Sequence, residues 1–393
     1  MLTCFVVHSI SHVQFNGAQL NLIFTDFERL ILPHIRCQYY FAYTLLVVNK
    51  PQLEVRYSWY ASQILLVRLK PPTAPQQQTL HTMTKRLLDL SLEDKQRFVA
   101  SFDYVLTDCD GVVWNFHGPI EGVGRAIGVL KDAGKKVVYV SNNSVRTLEN
   151  YKEQVHNLGH ELAEEDLIHP AISVVRYLKS INFQGLIYAI CAEPFLKLLK
   201  EAGFEVITGP NEPQPESLRL IIPVIRDKKP VKAVIVDHDF NCNHTKLLRA
   251  EMYLKSDPNC LLIGGGIDCR VSVTPNFTVL GAGYYLEMLE KSIGRKATIL
   301  GKPGQPLGEQ LKKQFGIEQD KRALFVGDMI AQDVAFGKVA GFQTLLVLTG
   351  GTSKSDLDAG CEKEYVPDFY TESFADLGRV VEEVLAASKK HNL

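Results

Sequence analysis

Two carboxylates, Asp108 and Asp110, stand one residue apart at the end of the apolar run Tyr104 to Thr107, with Gly111 directly behind them. Residues i and i+2 of an extended chain share a face, so both side chains can meet one ligand if the backbone stays extended through Cys109. Two like charges that close repel unless a cation neutralises them or one carboxyl keeps its proton, and either condition points to chemistry. An acidic pair before a glycine is also an ordinary way to leave a strand for a turn.

Three further segments weigh on that choice. Ser141-Asn142-Asn143-Ser144 closes the apolar run Lys136 to Val140, and a helix is predicted to begin near Arg146. Its free N–H groups and dipole, with the Ser141 hydroxyl, suit an anion such as phosphate; Ser and Asn are equally good helix caps. Lys302 lies between Gly301 and Pro303 after the short apolar strand Ala297 to Leu300, and a residue before proline is restricted to extended or turn conformation, which can hold its charge against a ligand. Asp328 follows the strand Arg322 to Val326, and Asp333 falls at the start of the next helix, where it also reads as a cap. Carboxylate pair, hydroxyl, lysine and carboxylate therefore come at four strand ends, where open α/β sheets bind ligands.

The elements that must position these groups alternate strand and helix from about Phe102 onward, the pattern of a parallel sheet covered on both faces. Far more chain separates Ser144 from Lys302 than a crossover needs. With the strands Leu186 to Ile190 and Ala233 to Val236, each followed by a helical pattern, that excess reads as an inserted α/β domain.

Composition sets the frame. At 393 residues, 46% hydrophobic and 22% charged, the chain is ordinary globular protein able to bury a large core. Lys plus Arg (43) balances Asp plus Glu (44) to a net charge of −1, which speaks against nucleic-acid or anionic-membrane partners. Eight scattered cysteines, with no C-x-x-C pair, indicate free thiols and a reducing compartment, with cytoplasm as the expectation. The apolar run Tyr39 to Val48 is too short to span a bilayer, which takes about 20 residues. Pro71, Pro72, Pro75 and Gln76 to Gln78 make a linker-like stretch, after which Lys85 to Leu90 reads as a helical lead-in.

The D-C-D-G-V-V-W run at Asp108 to Trp114, S-N-N-S at Ser141 to Ser144, G-K-P at Gly301 to Pro303 and G-D-x4-D at Gly327 to Asp333 resemble the four motifs of the haloacid dehalogenase superfamily. More narrowly they resemble its subgroup of phosphoglycolate, pyridoxal phosphate and 4-nitrophenyl phosphatases. The resemblance spans about residues 100–385 and omits 1–82. It implies a doubly wound, Rossmann-like parallel-sheet core with an inserted α/β cap; with the strand pattern above and the different character of the first 82 residues, the chain divides into an N-terminal appendage of uncertain order (1–82), a first core part (83–182), the cap (183–293) and a second core part (294–393). The implied activity is Mg²⁺-dependent hydrolysis of small phosphate monoesters through an aspartyl-phosphate. Asp108 would be the nucleophile and Asp110 the general acid/base. Mg²⁺ would be held by Asp108, the Asp110 backbone carbonyl and Asp328. Ser141, Asn142, Asn143 and Lys302 would bind the phosphoryl group, and Asp333 would position Lys302 or the metal's waters. The substrate would be a small phosphorylated metabolite, and such caps often mediate homodimers.

Some positions depart from that pattern. Gly264-Gly265-Gly266 stands where a Thr-Asn or Thr-Asp turn is usual, Ala331-Gln332 follows Asp328, and Gly304 replaces a common Ser. A catalytically degenerate member that binds a phospho-ligand or a protein is the alternative expectation. A pump or kinase built on an aspartyl-phosphate is disfavoured by the lack of apolar spans and of a Walker loop. Cys109 is expected to pack behind its strand.

Overall fold

The computed structural model describes residues 9–15, 18–24, 84–274, 277–360 and 365–391. Within the unit Met1–Thr79, the strands Ser9–Phe15 and Ala18–Phe24 pair antiparallel. The apolar run at 39–48 and the Pro/Gln-rich stretch lie outside the described residues.

The unit Leu80–Leu393 is built on two sheets. The larger has seven parallel strands in the order Lys85–Arg86, Phe369–Thr371, Gln343–Val347, Ala323–Gly327, Tyr104–Thr107, Lys136–Val140 and Leu167–Ile168. Its four central strands, Gln343–Val347, Ala323–Gly327, Tyr104–Thr107 and Lys136–Val140, are buried on both sides, which is why they read as unbroken apolar runs. Val105, Leu324 and Val326 face a cluster under the helices Val123–Asp132 and Phe374–His391, while Leu106, Phe325 and Val138 face Leu307 and Leu311 of the helix Gln305–Phe315. After Tyr104–Thr107 the chain moves first to one neighbour, Lys136–Val140, and much later to the other, Ala323–Gly327. That reversal of direction makes the carboxyl end of the central strand a switch point, where such sheets open a ligand crevice.

The second sheet has five parallel strands, in the order Val206–Ile207, Leu186–Ile190, Val231–Val236, Leu261–Gly264 and Thr298–Ile299. One face buries Phe195 and Leu199 of the helix Glu193–Glu201, the other Leu247 and Leu254 of His244–Ser256. This is the inserted α/β cap. Thr298–Ile299, which leads into Lys302, belongs to this sheet, so only three of the four strand ends noted in the sequence come from the larger one. The helix Pro170–Ser180 also buries Ala171, Val174 and Leu178 among residues of the cap sheet.

Two local expectations differ from the fold. Lys85 to Leu90 is not a helical lead-in: Lys85–Arg86 adds an edge strand beside Phe369–Thr371 and Leu87–Asp89 makes one tight turn. The helix starts at Leu92 because Ser91 accepts the N–H of Asp94 and caps it. The helix expected at Arg146 begins at Leu148, where Thr147 and Asn150 close a capping box. No helix among the described residues is long and apolar enough to cross a membrane.

Candidate active site

The central strand stops at Thr107, and Asp108 is fixed by its own N–H to the Val326 carbonyl (2.8 Å). The chain does not stay extended through Cys109: the Val113 N–H turns back to the Cys109 carbonyl (2.8 Å), and Gly111 takes φ +84°, a left-handed conformation costly to other residues. Asp108 and Asp110 nevertheless line one cleft of about 510 Å³, together with Ser141, Asn142, Asn143 and Asp328. Cys109 is fully buried in the core as expected, and burial pushes its thiol pKa well up.

Lys302, 1% exposed, lies 2.8 Å from Asp108 Oδ1 and 2.7 Å from Asp333 Oδ1. Burial alone would draw the lysine pKa down, but the two carboxylates hold it above its ordinary value. Asp333 is not a helix cap. Its Oδ2 accepts the N–H groups of Asp328 (3.0 Å) and Met329 (2.9 Å), so one carboxylate orients both Lys302 and the loop bearing Asp328.

Asp328 is 3% exposed; its Oδ2 accepts the Gly351 N–H (2.5 Å), while its Oδ1 is buried without a hydrogen-bond partner among the described residues. Oxygens of Asp108, Asp328 and Asp333 lie within 4.8 Å of one another. Burial first, and then mutual repulsion, raises the Asp328 pKa well above the carboxylate range and that of Asp108 to about 7, against the pull of Lys302. A buried carboxylate oxygen left unpaired beside another carboxylate suits a hard cation. Both Asp333 oxygens are already taken, so Asp108 and Asp328 are the side chains that fit one.

The residues expected to hold phosphate divide into two groups. Ser141 is buried at the cleft; its oxygen accepts the Asn143 N–H (3.0 Å) and its hydroxyl proton can be donated. The Asn142 side chain instead joins loops: Oδ1 accepts the Lys302 N–H (2.8 Å) and Nδ2 donates to the Lys302 carbonyl (3.1 Å), with longer contacts to Asp268 and Gln332 (both 3.4 Å). Asn143 Oδ1 accepts the Val145 and Arg146 N–H groups, and its Nδ2 donates to Asp110 Oδ2 (3.3 Å). The Asp110 carboxylate also receives Trp114 Nε1 (3.2 Å) and the Arg146 guanidinium, 2.7 Å from Oδ1 and 2.8 Å from Oδ2.

The cap supplies the opposite wall with His238, Phe240, Asp268, Arg270 and Val271. The fully buried Asp237 carboxylate accepts the Ser144 hydroxyl and the N–H groups of His238 and Gly266 (both 2.6 Å), while burial lifts its pKa to about 6. A side chain at Gly265 would place Cβ 2.0 Å from Asp237 Oδ2, and one at Gly266 would come 2.5 Å from the Asn142 carbonyl. The glycine run therefore has a physical reason: it lets the cap backbone touch the loop at 141–144. Arg146 and the cap residues were not singled out by sequence pattern; the one signal for Arg146 is a cation two places after S-N-N-S.

Comparison with known proteins identifies the family. A family model described as haloacid dehalogenase-like hydrolase matches residues 105–205, and a HAD-hydrolase-like model matches 299–377. The chain is 33% identical to phosphoglycolate phosphatase 2 of Arabidopsis thaliana over 297 residues, covering 75% of this chain and 98% of that protein. It is 32% identical to glycerol-3-phosphate phosphatase of Gallus gallus over 310 residues, covering 76% and 98%. The structure of a p-nitrophenyl phosphatase from Archaeoglobus fulgidus shares the fold, with TM-score 0.60, 24% identity, and coverage of 71% of this chain and 99% of that one. With relatives of this likeness matched over nearly their whole length, the chain belongs to the haloacid dehalogenase-like hydrolases, as a phosphatase of that family.

Proposed function

We propose that this phosphatase hydrolyses small phosphate monoesters with Mg²⁺ as cofactor and through an aspartyl-phosphate on Asp108. The observation that carries the reading is the Lys302–Asp108 pair beside Asp328, whose buried Oδ1 is unpaired. Lys302 and the Cys109 N–H both bind Asp108 Oδ1, at 2.8 and 2.7 Å, which leaves Oδ2 to attack phosphorus. The bond from phosphorus to the ester oxygen breaks, and Asp110 in its acid form gives that oxygen a proton. Asp110 then takes a proton from the water that attacks the aspartyl-phosphate; the phosphorus–Oδ2 bond breaks, free Asp108 returns and inorganic phosphate leaves. The Ser141 hydroxyl and Lys302 bind the phosphoryl oxygens as charge spreads over them. Asp108, Asp328 and the Asp110 backbone carbonyl would hold Mg²⁺, which when bound offsets repulsion between carboxylate and phosphate.

The cap is assigned the choice of leaving group, since His238, Phe240 and Asp268 face the phosphoryl site across the cleft. The inserted segment at about 183–293 is proposed as the cap, its sheet completed by Thr298–Ile299 and flanked by the helix Pro170–Ser180, with homodimers formed through it and the cytoplasm as location. The relatives' names direct the substrate search to two- and three-carbon phosphate esters. No observation favours the non-catalytic alternative, because Asp108, Asp110, Lys302 and Asp328 are all present. The test is hydrolysis of 4-nitrophenyl phosphate with and without Mg²⁺ by the parent and Asp108→Asn. Mg²⁺-dependent turnover by the parent and none by the variant is expected; equal rates for both would overturn the mechanism.

A further inference from the structure

Arg146 lines the cleft and has no part in the steps above, yet its surroundings hold it closely. Its guanidinium meets both oxygens of Asp110 and sits over the rings of Trp114 (5.7 Å) and Tyr151 (5.8 Å). Those rings are themselves fixed: Trp114 and Tyr151 are fully buried, and Tyr151 donates its hydroxyl to the Asn143 carbonyl (2.6 Å). Asp110 thus receives donors from Trp114, Asn143 and Arg146, of which only Arg146 holds both oxygens at once. Nη1 alone bridges both oxygens, and the guanidinium plane lying over the two rings fixes the direction of that nitrogen as well as its distance, which the flexible stem of a lysine would not do.

We propose that Arg146 is a positioning residue: it sets the Asp110 carboxyl at the leaving-group side of the cleft, and so determines how well the enzyme cleaves esters whose leaving oxygen needs a proton. The inference rests on the reading of Asp110 as general acid. An alkoxide must be protonated as it departs, whereas 4-nitrophenolate is a stable anion and needs little help. Loss of aim at Asp110 therefore penalises alkyl phosphates selectively. Because kcat/KM covers the steps up to departure of the leaving group, it isolates this half of the reaction.

The experiment measures kcat/KM of the full chain for glycerol 3-phosphate and 4-nitrophenyl phosphate in the parent, Arg146→Met, Arg146→Lys, Asp110→Asn and the Arg146→Met/Asp110→Asn double variant. General acid catalysis contributes on the order of 10²- to 10⁴-fold, and its loss of aim in Arg146→Met is expected to cost roughly 10- to 100-fold on the alkyl ester. On the nitrophenyl ester the cost is expected to stay within about 3-fold. Arg146→Lys recovers part of the loss, and the double variant matches Asp110→Asn within about 2-fold, as for residues acting through one another. Equal losses on both esters, with raised KM and unchanged kcat, would mean that Arg146 holds substrate, and would overturn the proposal; so would additive losses in the double variant. If Asp110→Asn spares the alkyl ester, the reading of Asp110 itself fails and the proposal with it. Should Arg146→Met not fold, Arg146→Lys carries the same comparison of esters.

Discussion

Lys302 shows how one residue can serve structure and chemistry together. It neutralises the half-buried Asp108 and the buried Asp333, and both its backbone N–H and carbonyl are tied to Asn142. Breaking a buried pair from one side leaves the other charge uncompensated, at about 3–5 kcal/mol. Lys302→Met is therefore expected to lose that order of stability in urea unfolding and to abolish turnover of 4-nitrophenyl phosphate. Unchanged stability would show that water already compensates these charges. Asp108, Lys302 and Asp328 were legible in the sequence because each is a chemically demanding residue at the end of an apolar run. The partners of Asn142 were not, since they stand 126, 160 and 190 residues away, and no local pattern encodes a contact between loops. Asn142 and Asn143 carry the amide groups that phosphate would need, but the fold spends them on Lys302 and Asp110.

Among the elements, Lys136–Val140 and Leu186–Ile190 have the bounds that their apolar runs announce, because strands buried on both faces leave no ambiguity of period. Edge pieces such as Lys85–Arg86 exist only through a neighbour, Phe369–Thr371, nearly three hundred residues later, so the local helical pattern misleads there. His169 marks another junction. It ends the strand Leu167–Ile168, precedes the helix Pro170–Ser180 and stacks on Tyr151 (5.9 Å), with its Nδ1 buried and unpartnered among the described residues. Burial, helped by Arg176, lowers its pKa from 6.5 to about 4. The folded state therefore keeps His169 neutral where the unfolded chain would protonate it. This contribution is complete above pH 6.5 and is lost as pH falls towards 4, on the order of 3 kcal/mol in all. His169→Phe preserves an aromatic ring and removes the titration. Its stability relative to the parent is expected to rise steadily between pH 6.5 and 4; a parallel acid profile for both proteins would disprove the assignment.

For the molecule as a whole, the catalytic cluster is a local cost that two apolar sheets carry. Asp108, Asp328 and Asp333 converge with Lys302 as their buried cation, and one oxygen of Asp328 has no partner among the described residues. The seven-stranded core supplies the apolar burial that makes this arrangement tolerable, at about 25 cal/mol per Å². Folding and cation binding should therefore be linked. In a chelator, Asp328→Asn removes a buried charge yet retains an oxygen for the Gly351 N–H, and is expected to be more stable than the parent by about 1–3 kcal/mol. With Mg²⁺ at roughly 100 times its dissociation constant the parent should gain about 2.7 kcal/mol, and the variant, missing a ligand, much less, so the order closes or reverses. Urea or thermal unfolding of both proteins with and without Mg²⁺ measures the crossover without reference to activity. An Asp328→Asn protein less stable than the parent in chelator, with the same Mg²⁺ shift, would place the cation elsewhere and make the unpaired oxygen a simple packing cost.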